Sequence, residues 1–162
     1  MKRLTIRVKA CTDTLSLMIA MAWADGRLDD REKQGVRGAA EVFNLPKELR
    51  AELDAALEKS PDVAGLALEE LSDGERAFAY VAAAWMSGVD RLADSKERAL
   101  LDRLAERLGI EGGRRGDLEK VAAELEPPAG GAPQWASEVE RLFKAIPREV
   151  DDSDEDVEVV FE

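Results

Sequence analysis

A chain of 162 residues with 35 acids, 23 bases and a net charge of −12, 45% hydrophobic and only 5% aromatic, is long enough for one domain with an aliphatic, alanine-rich core. The acidic balance argues against nucleic acid as a partner, because phosphate is repelled. The lack of any histidine removes Ser-His-Asp and Cys-His nucleophilic sites and His-ligated zinc.

In chain order, the opening MKRLTIRVKACTDTLSLMIAMAWADG turns from basic to apolar, as a signal peptide does. Thr12, Asp13 and Thr14 interrupt that run and an amphipathic pattern follows, so the segment reads as part of a mature cytoplasmic protein. No apolar run reaches the ~18 residues of a membrane span. Cys11 is the only cysteine; it has no disulfide partner and no His base, and reads as a small buried apolar residue. Leu4–Val8 is short and β-like. A first helix is predicted from about Thr14 to Ala24, with Leu15, Met18, Ile19 and Ala22 on one face. A second runs from about Asp30 to Phe43, and a third from Pro46, suited to a first helical position, through Leu57. A short helix follows from Val63 to Leu71. Ser72 and Glu75 then form a capping box, opening the most apolar helix, with Phe78, Val81, Ala82 and Trp85 inward and a place at the centre of the core. ADSKERALLDRLAERLGI predicts another helix. EGGRRGD reads as a flexible joint: it lacks the Lys-Ser/Thr of a phosphate-binding P-loop. Helices over 117–125 and over QWASEVERLFKAI complete a domain over 1–147, stopped by Pro147.

The last segment, 148–162, is an acidic tail. From Asp151 onward it has seven acids and no base, leaving −5 on the rest of the chain. Val157, Val159 and Phe161 alternate as in a strand, over about 156–161. This segment and LTIRV are expected to pair as an antiparallel ribbon or to add to a partner's sheet edge; a solvated tail is the plainer alternative.

The helical segments carry an internal echo. After Trp23 come Asp25, Asp29 and Glu32; after Trp85 come Asp90, Asp94 and Glu97, each 65 residues further on. The second turn is longer by three residues, since Trp85 stands five before Asp90 and Trp23 two before Asp25. Two helix–acidic turn–helix units burying their apolar faces against each other would make a pseudo-twofold domain.

MAWADGRLDDREKQGVRGAAEVFNLP resembles the signature of tellurite-resistance TerB-like domains, over roughly Leu15 to Ile110. The resemblance implies an all-α fold of about seven helices, a non-enzymatic module, and a bacterial stress-response or defence assembly. It also implies a divalent cation, calcium foremost, on the acidic turns. The matching positions are Asp25, Asp29 and Glu32, then Asp90, Asp94 and Glu97, with Asp30 a further acid in the first turn. The second turn departs from the pattern, with SGVDRLADSKE in place of Asp-Gly.

The residues themselves leave two readings open. Asp29 with Glu32, and Asp94 with Glu97, have capping-box spacing, and acids in a first helical turn gain ~0.3–1 kcal/mol each from the helix dipole. Capping leaves Asp25 and Asp90 unexplained. Calcium takes ~6–8 oxygen ligands, which two adjacent turns could supply, although Arg27, Arg31, Arg91 and Lys96 partly neutralise them and the spacing is not that of an EF-hand. The alternative function is a metal-free adaptor that docks a basic protein partner through a helix face or the acidic tail; the termini could also join the chain to a protein partner or to a second copy. A carboxylate hydrolase would need paired acids in a pocket, and these acids stand at helix starts.

Overall fold

The computed structural model describes residues 2–23, 33, 37, 41, 45–59, 68–87, 95–124, 146 and 157–161, with the backbone alone at 2–4, 21, 22, 86, 87, 95–97 and 157–161. Strand β1 (Lys2–Ile6) leads into α1 (Val8–Trp23). Then come α2 (Lys47–Glu58), a 3₁₀ turn (Leu68–Glu70), α3 (Asp73–Ser87), α4 (Ser95–Arg107), α5 (Gly112–Glu124) and β2 (Val157–Phe161). The structure is mostly helical, in keeping with the all-α expectation. Lys33, Arg37 and Glu41 are also helical, within the segment where a second helix is predicted.

α1 and α3 are the two central helices. Every residue from Ala10 to Ala20 is buried, as is every residue from Ala77 to Trp85. α1 packs on α3 and α2, and α3 also packs on α4 and α5. The core is aliphatic and alanine-rich, with Phe78 and Tyr80 its largest fully buried side chains.

α1 begins at Val8, well before the expected Thr14. Two of the three polar residues that argued for a later start are satisfied inside the helix, while Thr14 Oγ1 is buried with no hydrogen-bond partner among the described residues. Thr12 Oγ1 donates back to the Val8 carbonyl at 2.9 Å, and Lys9 Nζ lies 3.2 Å from Asp13 Oδ1, one turn on. Burial raises the Asp13 carboxyl above its ordinary range, with Lys9 pulling against it. Cys11 is fully buried, and burial pushes its thiol up to about 12, which keeps it protonated and unreactive.

One carboxylate ties the starts of the central helices together. The predicted capping box forms: the Glu75 N–H donates to Ser72 Oγ at 3.2 Å, and the Ser72 N–H donates to Glu75 Oε1 at 3.0 Å. The same carboxylate accepts from the backbone N–H of Arg7 at 3.0 Å and from Arg7 Nη2 at 2.7 Å. Arg7 is the residue on which α1 begins, since its carbonyl accepts the Cys11 N–H. Glu75 thus caps two helices at once, 68 residues apart in sequence, and its charge lies at the positive end of both. Arg7 Nη2 also donates to the Glu70 carbonyl at 2.8 Å, which adds the 3₁₀ turn to the joint.

The chain's two ends pair, but in parallel: Lys2 stands opposite Val157 and Ile6 opposite Phe161. The antiparallel expectation is therefore corrected. A hairpin fixes strand direction through a short turn; here the whole helical body separates the strands, and direction follows from where that body delivers them. The EGGRRGD joint is corrected as well. From Gly112 it is the first turn of α5, ahead of the predicted start at Asp117. The α4–α5 corner is closed by a Schellman motif on Gly109, at φ +68°, with Ile110 N donating to the Ala105 carbonyl and Gly109 N to the Glu106 carbonyl. Of the short helix expected over 63–71, the 3₁₀ turn at Leu68–Glu70 is described; 60–67 lie outside the described residues. Of the last predicted helix, Ile146 is helical and buried.

Burial pushes the Glu75 carboxyl up, but hydrogen bonds from Arg7 and from the backbone N–H groups of Ser72 and Arg7 outweigh it and hold the group below its ordinary value of 4.5. A depressed carboxylate contributes stability that is complete above the unfolded value and disappears as pH falls through the folded one. Glu75→Gln is therefore expected to lose about 1–2 kcal/mol in urea unfolding at pH 7, and the gap to the parent should close toward pH 3. A gap that stays constant over that range would show that charge at Glu75 is not what joins the helices.

Candidate functional site

The acids singled out in the sequence flank elements whose ends are known. α1 ends at Trp23, ahead of Asp25, Asp29, Asp30 and Glu32; α3 ends at Ser87, ahead of Asp90 and Asp94. Those six acids lie outside the described residues. Glu97 is the third residue of α4, which opens at Ser95, the place a capping-box acid takes; its side chain lies outside the described set.

Trp23 is half-buried against the core, and its indole Nε1 donates to the Ala56 carbonyl at 3.0 Å. Ala56 is in the last turn of α2, where carbonyls have no intrahelical partner. The neighbouring Ala55 carbonyl is taken by the Lys59 N–H. The side chain that ends α1 therefore caps α2, which fixes where the first acidic segment leaves the body. Arg37 Nε approaches Asp54 Oδ1 of α2 at 3.4 Å, but both side chains are more than half exposed and the pair adds little. Trp85, which the sequence matches to Trp23, is buried in α3.

α1 and α3, of 16 and 15 residues, start from one carboxylate and pack on each other. Among the described residues no group of three or more acidic or cysteine side chains is gathered that could hold a metal ion.

A polar cluster that sequence reasoning missed lies between α3, α4 and α5. Arg115 Nε donates to Tyr80 Oη at 2.7 Å and Arg115 Nη2 to Asp102 Oδ1 at 2.6 Å, while Tyr80 Oη donates to Glu119 Oε1 at 2.8 Å. Burial and the Glu119 carboxylate push the Tyr80 phenol up, so it stays protonated as a donor. Each of these groups has its partner, and the cluster joins three helices. The i, i+4 spacing of Arg115 and Glu119 is its one local signal.

Trp23→Phe keeps the ring and removes the indole donor. It is expected to cost about 1 kcal/mol in chemical denaturation, and hydrogen exchange should rise in the last turn of α2. Unchanged exchange there would deny the indole its capping role.

The chain matches, over residues 9–122, the family described as Protein of unknown function (DUF533), a family within the TerB-like superfamily. No curated protein and no solved structure matches it. With well over half of its length matched, including α1 from its second residue, α3 and both acidic segments, the chain belongs to the DUF533 family.

Proposed function

We propose that this protein is a non-enzymatic TerB-like module that holds a divalent cation, calcium, between two acidic elbows, and that it serves a cytoplasmic stress-response or defence assembly in bacteria. In this reading the body has about seven helices in two related units. Asp25, Asp29, Asp30 and Glu32 come from the first elbow, and Asp90, Asp94 and Glu97 from the second.

The observation that carries the reading is the shared start of α1 and α3. α1 and α3 are packed helices of nearly equal length that start at one carboxylate, which favours an arrangement with their far ends near each other. The acids follow those ends at matched spacing. Carboxylates from both turns can then share one ion, as calcium's need for ~6–8 oxygens favours.

A second reading, a metal-free adaptor, draws on the strand pair. A two-stranded parallel sheet has two outer edges, where backbone groups can accept a strand from a protein partner.

Calcium titration followed by thermal melting separates the two. A real site raises Tm by mass action: about 2.7 kcal/mol at a hundredfold excess over Kd, or about 5–10 °C for a domain of this size. Asp25→Asn with Asp90→Asn should abolish the rise. A melting temperature that does not move at millimolar calcium would overturn the cation reading and leave the adaptor.

A further inference from the structure

The EGGRRGD stretch takes no part in the cation reading, and the structure sets it beside a cleft of about 370 Å³. The cleft lies where the first turn of α3 meets the α4–α5 corner. Ala77 and Leu108 give it an apolar lining, Arg76 and Arg114 contribute two guanidinium groups, and Asp73 and Glu111 two carboxylates.

The two arginines differ from the ion-paired ones, and share with Arg50, Arg98 and Arg103 the lack of a carboxylate partner among the described residues. Arg7, Arg107 and Arg115 each have a carboxylate oxygen within 4.0 Å. Among the described residues neither Arg76 nor Arg114 has one, although two acids border the same cleft. Arg76 is held in place by Nη2, which donates to the Glu69 carbonyl at 3.0 Å, while its Nε is buried with no acceptor. That Nε lies too deep for a ligand in the cleft to reach, so the cleft meets the rest of the guanidinium. Asp73 opens α3, and Glu111 immediately precedes α5. The positive ends of those helices take up part of each carboxylate's charge, so the guanidinium pair is the less compensated half of the cleft.

We propose that this cleft binds a small phosphorylated ligand, with the phosphate bridging Arg76 and Arg114. Two guanidinium groups match a dianionic phosphate in charge better than they match a single carboxylate. The apolar lining receives the body of the ligand. The assignment is independent of the cation reading.

The test uses the full chain and inorganic phosphate, following arginine Nε–Hε signals by NMR with chloride at matched ionic strength as reference. The expected result is a saturable shift of the Arg76 signal. Arg114→Gln, at an exposed position, should weaken the affinity by about tenfold or more; Arg98→Gln, at an exposed position of α4 that does not line the cleft, should leave it unchanged. Arg76→Lys, which retains the charge but loses the fork, should weaken it as well. A linear, non-saturating drift would overturn the proposal, and so would equal affinity in Arg114→Gln and the parent.

Discussion

The fold depends on where one carboxylate sits. Glu75 closes the capping box that starts α3 and also accepts the backbone and side-chain N–H groups of Arg7, from which α1 starts. Burying a carboxylate is unfavourable unless it is paired and hydrogen-bonded. Here both oxygens are used, and two helix starts add their dipoles. The side chain of Arg7 is half in solvent, so the ion pair by itself is screened. The backbone N–H of Arg7, which stands at the start of α1 and has no acceptor within the helix, makes the contact specific. With that joint fixed, β1 is held just upstream through the buried Ile6, and the 3₁₀ turn is drawn in through the Glu70 carbonyl.

How much of this was legible depended on range. The Ser72–Glu75 box could be read because both partners lie within one turn, and it formed as predicted. The Arg7 contact crosses 68 residues and has no local signature. The same distinction explains α1. Thr12, Asp13 and Thr14 look like a break when each is weighed by propensity, but a back-bond and an i, i+4 ion pair accommodate two of them, and tertiary burial decides the outcome. At α5 the two glycines looked like a joint. In the first turn of a helix they cost less than in its interior, and Arg115, just behind them, gains contacts on two other helices. Strand direction was not legible at all, because alternation is the same for parallel and antiparallel partners.

The candidate site was legible as composition and spacing, not as geometry. The 65-residue offset between the acids is a property of the sequence alone. Where each acidic segment begins is set by the helix before it, α1 or α3, and those helices are held by the Glu75 joint and by Trp23, neither of which is part of the acidic pattern. Trp23 illustrates the difficulty. It reads as a core aromatic that ends an apolar stripe, and it is packed on the core, yet its indole N–H is spent on the end of a different helix.

The acids of the two elbows do not weigh equally in deciding between capping and cation binding. This chain builds a capping box at α3 with no metal required, from a Ser and a Glu three residues apart. Glu97 holds the corresponding third position in α4, so its position has a reason in capping whether or not a cation is bound. The same spacing covers Asp29 with Glu32. Asp25 and Asp90 each stand four residues ahead of the acid that would cap, too early for the first turn of the following helix and too late to favour the helix before, whose carboxyl end repels negative charge. A second carboxylate placed there raises the local charge with no gain from either dipole. The paired early aspartates, rather than the more numerous acids after them, are therefore the part of the pattern for which a bound cation supplies a reason.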